Sequence, residues 1–485
     1  MLNPKQRSPE STVQYSESRT RGTRGFNSRF LLQTITRKAQ RCIIIAANAL
    51  VAAALLFPLA ACDNAADNPD NQPSRTLTIS QCWDVYNMDA AIERFKSAHP
   101  DVEIILTKYN GNYEKFKMQV TTQLIAGTAD DIIDMLGFPG SPTLAENGYT
   151  ADLYPLMQND PDFDVDDYFT SVFTGMEHRG RLHTFPLEFL YRLVGVNNVF
   201  SDELASDYMQ YETISHRDML KLHDGLEEKG NRYPSENLDG ITAITTNFKS
   251  FVDYESREAF FDSDGFVSFI KQVRDATDPK KIEDGRLGNE VDNINELHMQ
   301  ASAGRYLFAE TGIQNEFVHF PSVGNGQFTH FIPLANDEGK IIITPGTSLA
   351  ISEASGEKGL AWEFIKFLAT DDPIPDDMVL QAARPFWGMP INRTLFRKQA
   401  GLFYTGVAQR YIQHTGPINA EIPAFVEQII TRMENYNEMP MEFSGYFDVG
   451  DGILLDIISR FYMGDLTAEQ AASELQNKYS LYMME

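Results

Sequence analysis

Between Thr76 and Leu136 short apolar runs alternate with helix-period repeats, and few folds accept that order. Leu77 and Ile79 mark one strand-like run, Val102-Glu-Ile-Ile-Leu-Thr is a second, and Asp131-Ile-Ile-Asp-Met-Leu is a third. Between them Ile92, Phe95 and Ala98 recur at helical spacing before Pro100, and Phe116, Val120 and Leu124 do so before Gly127. A β-α-β-α-β succession with nearly continuous apolar strands predicts a parallel sheet covered by helices. Such sheets place ligands outside the carboxyl ends of their strands, so the loops after these runs are where site residues are sought.

Upstream, an apolar run from Cys42 to Ala61 follows Arg37, Lys38 and Arg41 and ends in Leu59-Ala-Ala-Cys62. A basic head, an apolar stretch and small residues before a cysteine compose a bacterial lipoprotein signal. Cys62 is then the lipidated (palmitate-bearing) first residue of the processed chain, and residues 1–61 are removed. The run is also about long enough to act as an uncleaved anchor. Residues 63–75, polar with two prolines, read as a disordered tether with a root-mean-square reach of about 20 Å.

Residues 1–61 hold nine of the 41 Lys and Arg and two of the 68 Asp and Glu, so the chain from Cys62 onward has a net charge of −34. That charge argues against nucleic acid and against adhesion to anionic lipid heads, leaving the membrane contact to the lipid. The processed part is long enough for two lobes. With Cys62 acylated, Cys82 is left without a disulfide partner and reads as a small buried hydrophobe.

Further along, Met219, Leu222 and Leu226 form a helix face with Ser215 as N-cap. Phe266, Phe269, Ile270 and Val273 form another, capped by Ser263 or Asp264. Lys340-Ile-Ile-Ile-Thr is strand-like, Leu360, Phe364, Ile365 and Leu368 line a helix that also holds Trp362, and Thr467-Ala-Glu-Gln470 is a capping box opening the last helix.

Several phrases taken in order resemble the family 1 bacterial extracellular solute-binding proteins of sugar-type ABC transporters, the maltose-binding-protein-like group. They are Ala91-Ile-Glu-Arg-Phe-Lys-Ser-Ala-His-Pro, Ala126-Gly-Thr-Ala-Asp-Asp-Ile-Ile (with Asp130 where the family usually has proline) and Gly180-Arg-Leu-His-Thr-Phe-Pro-Leu followed by Gly195-Val-Asn-Asn. Phe331-Ile-Pro-Leu-Ala-Asn-Asp-Glu-Gly-Lys, Gly359-Leu-Ala-Trp-Glu-Phe-Ile-Lys-Phe-Leu and Tyr462-Met-Gly-Asp-Leu-Thr-Ala-Glu-Gln-Ala complete the set. The resemblance implies a two-lobed α/β periplasmic-binding-protein fold of type II, with a hinge of about three crossings. Crossings are expected near Tyr191, Gly346 and Phe403. One lobe is then 76–190 plus 346–402, and the other 191–345 plus 403–485.

A sugar offers apolar C–H faces and an edge of hydroxyls, so aromatic planes beside planar polar groups are the features sought. Trp83, Asp84, Tyr86 and Asn87 follow the first strand, and Asp134 to Phe138 follow the third, where Asp134 could instead cap the next turn. Arg384 and Trp387 lie in a Pro-rich stretch. Glu188 and Arg192 flank the first crossing, and Tyr446 and Phe447 precede a C-terminal helix. Trp362, inside an apolar helix face, is expected in the core. The aspartates at 160, 162, 164, 166 and 167 lack the glycine and terminal glutamate of a calcium loop and read as a solvated turn. No metal, cofactor or catalytic residue is assigned.

The expected function is that of a monomeric, extracytoplasmic, lipid-anchored receptor. It captures a carbohydrate, an oligosaccharide by preference, between two lobes and delivers it to the transmembrane subunits of an ABC permease. The alternatives are a secreted glycan-processing hydrolase, which needs two carboxylates facing across a cleft, and a ligand-binding module feeding a sensor kinase.

Overall fold

The computed structural model describes residues 75–483 except 84–86, 139–141, 201–203, 205–206, 227–228, 289–298, 313–327, 373–387, 416–420 and 444–449. All of them belong to one compact unit, Asn71–Glu485. The lipidation candidate Cys62 and its flanking segments lie outside the described residues.

The expected alternation is present. Strand β1 (Arg75–Gln81) leads to helix α1 (Met88–Ala98), β2 (Val102–Lys108), α2 (Tyr113–Ala126) and β3 (Ile132–Asp134). Helix α2 stops at Gly127, whose φ of 67° is the left-handed cap a glycine adopts without steric cost. Both β2 and β3 pair with β1 in parallel. Asp131 fastens this sheet: it accepts from the Thr78 N–H and hydroxyl at 2.9 and 2.7 Å and from Ser355 Oγ at 2.6 Å. Asp130, where the resembled family has proline, accepts instead from the Ser80 hydroxyl.

After β4 (Phe185–Pro186) the chain enters β5 (Glu188–Asn197), the long strand of a second sheet. That sheet adds β6 (Tyr233–Ser235), then, beyond the short hairpin β7 (Val252–Asp253) and β8 (Glu258–Ala259), β9 (Tyr306–Gly312), β10 (Phe328–Pro333) and β11 (Ile341–Pro345). Strand β12 (Ser348–Ile351) returns to the first sheet, giving the order β2-β1-β3-β12-β4. Strands β13 (Met389–Pro390) and β14 (Met441–Phe443) join the second.

Three connections therefore pass between the sheets: at Leu187, at Gly346–Thr347, and between Thr370, the end of helix 358–370, and Met389. The first two fall near the expected Tyr191 and at the expected Gly346. Phe403 does not mark the third; it is buried inside the helix Arg393–Thr415, after β13 has already paired with β5. The lobe limits drawn from the sequence place 389–402 on the other side of that crossing, because apolar periodicity locates a helix without saying which sheet precedes it.

Helices 264–276, 450–463 and 468–482 pack with helix 240–246 into a separate apolar cluster around Phe261, Phe266, Leu454, Ile458 and Leu475. Ser215, Ser263 and Thr467 cap their helices as expected, the first and last as full capping boxes.

Candidate functional site

The loops at the carboxyl ends of β1, β2 and β3 meet around Trp83. The Gly111 N–H donates to the Cys82 carbonyl at 2.8 Å, and the Tyr109 N–H to the Gln81 carbonyl at 2.9 Å. These bonds lay the β2 loop under the indole: a Cβ placed on Gly111 would come within 3.2 Å of the Trp83 six-membered ring. Gly111 also has a φ of 74°, so both space and backbone require glycine there. Trp83 itself is 60% exposed. A large aromatic surface held in water by its backbone offers a platform on which a flat apolar face could stack.

Asp134 builds this platform from below. Its carboxylate accepts from the N–H groups of Cys82 at 2.9 Å, Trp83 at 3.4 Å and Leu136 at 2.9 Å. Burial pushes its carboxyl up to about 6 despite these donors. Asp134 thus caps the turn after β3, the second of the two roles open to it from sequence, and positions Trp83. Phe138 is also turned inward: it is 4% exposed and packs on Phe116 with ring centroids 5.6 Å apart. A strand-end position in sequence does not tell which way a side chain points, and here the apolar ring wins burial. Cys82 is buried, and burial together with the Asp134 charge lifts its thiol to about 11. Asn87 is exposed in a left-handed conformation with φ 53°, and its backbone carbonyl starts α1.

Glu188 sits where the three crossings touch. The Gly346 N–H donates to its carbonyl at 2.8 Å, and the Leu187 N–H donates to the Thr347 carbonyl at 2.8 Å. Pro390 pairs with Glu188 across β13 and β5. A Cβ on Gly388 would lie 2.9 Å from the Glu188 Cβ, and one on Gly346 3.1 Å from it. The strands cross in mutual contact because these two positions carry no side chain.

In the second sheet Arg192 lies near the carboxyl end of β9, its Nη1 3.7 Å from Glu310 Oε2. Glu310 is fully buried; it accepts from Ser235 Oγ at 2.8 Å, and His216 Nε2 stands 3.4 Å away. Burial opposes ionisation of Glu310, but His216, Arg192 and Ser235 hold it below the usual carboxylate range. Its neighbour Glu236 takes the opposite state: burial and the Glu310 charge raise it to about 8. Beside them Lys281 pairs with buried Asp239 at 2.7 Å. Sequence reading found Arg192 but not Glu310, Glu236 or His216. A lone carboxylate inside the apolar run Leu307-Phe-Ala-Glu310 was the available signal.

Asp84, Tyr86, Arg384, Trp387, Tyr446 and Phe447 lie outside the described residues. Trp362 is in the core as expected, 4% exposed, its Nε1 donating to Asp160 at 2.9 Å. The aspartates of 160–167 serve turns and neighbours: Asp160 also takes Lys366 at 2.6 Å, and Asp164 accepts from the Asp166 N–H at 3.0 Å.

Away from the strand ends, the two sheets' segments touch at a charged contact. Glu146, between β3 and β4, meets His178 at 2.5 Å, Arg179 at 2.8 Å and, from the β7–β8 hairpin, Arg257 at 3.5 Å. Arg179 also donates to the Tyr254 and Glu255 carbonyls at 3.1 and 3.4 Å, and Thr143 bonds Tyr482 at 2.6 Å. Arg179 and Arg257 both have positive φ, 52° and 58°.

No protein-family model matches this chain, and no curated protein does. Solved structures do. The sugar-binding protein MalE from the phytopathogen Xanthomonas citri aligns with a TM-score of 0.54 at 16% identity, over 84% of this chain and 97% of that one. A periplasmic oligogalacturonide binding protein from Yersinia enterocolitica aligns at 0.53 and 15%, over 84% and 99%. An extracellular solute-binding protein family 1 from Alicyclobacillus acidocaldarius aligns at 0.51 and 14%, over 86% and 100%. The likeness is one of fold: this chain has the two-lobed α/β architecture of the periplasmic binding proteins.

Proposed function

We propose that the chain is the substrate-binding lipoprotein of an ABC importer, capturing a carbohydrate in an interlobe cleft and handing it to the permease. The observation that carries this reading is Trp83: an exposed indole, fixed over Gly111 by a buried carboxylate, at the strand ends where this fold leaves room for ligand. Sugar rings stack on such a face. Trp83, Asp84, Tyr86 and Asn87 form one wall, Asp134 and Phe138 support it, and Glu188 and Arg192 lie at the crossing and the facing lobe. Arg384, Trp387, Tyr446 and Phe447 complete the set. The chain acts as a monomer, makes and breaks no bond and needs no cofactor; ATP hydrolysis belongs to partner subunits. Cys62 carries the lipid that holds it outside the cytoplasm. The first lobe comprises 76 to the first crossing at Leu187 and 346 to the third crossing, and the second the remainder.

Ligand touching both lobes binds the closed form better and shifts the population toward it. Calorimetric titration of the chain from Thr76 with an oligosaccharide panel, followed by solution X-ray scattering, tests both points. Binding without cleavage and a smaller radius of gyration are expected. Cleavage of the glycan would establish the hydrolase instead, and absence of binding across the panel would remove the receptor reading. Detergent phase partition tests the anchor: the full chain should enter the detergent phase and Cys62→Ala should not.

A further inference from the structure

The Glu146 contact lies beyond the crossings from Trp83. In the first sheet β4 is an edge strand that runs the same way as β3, since both pair antiparallel with β12. The chain leaves for the second sheet from the carboxyl end of β4, at Leu187. His178 to His183 come before β4 and run beside the amino ends of these strands. His183 Nδ1 is 3.0 Å from the Thr150 carbonyl, Thr150 bridges to Ser352, and the Ser352 N–H donates at 2.9 Å to the carbonyl of Asp131, just ahead of β3. Trp83 stands at the opposite ends, after β1. The other half of the contact comes from the β7–β8 hairpin and the last helix, which are tied together. Gln476 Nε2 donates to the Ala259 carbonyl at 2.7 Å, and the Phe261 N–H donates to Gln476 Oε1 at 2.8 Å. The Tyr254 and Glu255 carbonyls, Arg257 and the Tyr482 hydroxyl therefore move as one body against Arg179, Glu146 and Thr143. The Tyr254 ring also stands edge-on to His178, with centroids 6.3 Å apart.

We infer that this contact is a brake on closure, holding the lobes apart at the ligand face and so setting affinity from residues remote from Trp83. A rotation about the crossings that brings the second lobe onto the carboxyl ends of β1 to β3 carries the hairpin and Tyr482 away from the amino-end side. Each bond across the contact then has to break before the ligand face can close. A ligand's apparent affinity is reduced by the fraction of protein in its binding-competent form, and releasing the brake raises that fraction. The inference rests on the receptor reading and adds to it the regulation of the same cleft.

The test uses the full chain and whichever oligosaccharide of the panel the native protein binds. The double variant R179A/Y482F removes the bonds to the Tyr254 and Glu255 carbonyls and to the Thr143 hydroxyl. By calorimetry it should bind that sugar about three-fold tighter or more, since each lost hydrogen bond no longer opposes closure. A change that merely loosened the fold would weaken binding, so a gain in affinity is specific to the brake. Melting temperature reports whether the variant is folded, and the single variant Y482F, which loses one hydroxyl, should show a smaller gain in the same direction. Equal or weaker binding by folded R179A/Y482F overturns the brake and leaves the receptor reading intact. Should the double variant not fold, Y482F decides alone, and unchanged or weaker binding there overturns the inference. Failure of the native protein to bind any member of the panel removes both readings.

Discussion

The two sheets end in contrasting ways. At the carboxyl ends of β1 to β3 an apolar ring faces water, and among the described residues the carboxylate that organises it, Asp134, is spent on backbone N–H groups beneath. At the corresponding ends of β6 and β9 the polar groups are the buried ones: Glu236, Glu310, His216, Asp239 and Lys281 are sealed under the surface, and Arg192 alone is half-exposed. One end keeps its exposed ring apart from the groups that hold the fold; the other buries its polar groups together. Substitutions should therefore separate binding from folding in the first lobe and fail to do so in the second.

The largest expected effect is Asp239→Ala. It leaves buried Lys281 without its carboxylate, with only the Asn237 carbonyl to accept from it, and removes the N-cap of helix 240–246, so it should cost about 3–5 kcal/mol. Urea unfolding measures this, and a loss under 1 kcal/mol would show that the buried pair is not structural. Trp362→Ala, a core truncation in the first lobe, should cost a similar ~3–5 kcal/mol and so calibrate the scale.

Next is pH. A carboxyl raised in the folded state binds its proton more tightly there than in the unfolded chain. Stability therefore falls as pH rises from the unfolded value of Glu236, 4.5, to its folded value of about 8. Glu236→Gln keeps the protonated shape and removes the titration. It should gain on the native protein at up to about 1.4 kcal/mol per pH unit across that window, the two converging near pH 4. Parallel stability-against-pH curves would show that Glu236 ionises freely.

Gly111→Ala is smaller, about 1 kcal/mol, from the positive φ and the 3.2 Å approach to Trp83. It should weaken glycan binding more than it lowers stability, because it displaces the ring. Smallest in stability is Trp83→Ala, within about 0.5 kcal/mol as at other exposed sites, yet it should reduce glycan affinity at least ten-fold. Unchanged affinity would dissolve the contrast between the lobes.

The parts of this molecule legible in the sequence are those written in local patterns. The β-α-β-α-β start, the Ser215 cap, the Thr467 capping box and the core placement of Trp362 follow from spacing and side-chain chemistry within a few residues. What escaped depends on partners far along the chain. Asp134 looks outward until the N–H groups of Cys82 and Trp83, some 50 residues earlier, are brought over it. Glu310 looks like an interruption of a strand until His216, Ser235 and Arg192 surround it. The third crossing was misplaced because β13 is two residues long and carries no period at all.

The Glu146 contact has a mechanical corollary. Two arginines, each holding a backbone conformation that non-glycine residues adopt at a cost, are kept there partly by one carboxylate and two carbonyls reached across the lobes. A turn of one lobe against the other, as the proposed receptor needs, would lengthen these bonds and free both turns to relax. The contact then behaves as a preloaded spring catch: its arginines are about half exposed, so added electrolyte softens it. A receptor of the proposed kind would then release this contact more easily as ionic strength rises.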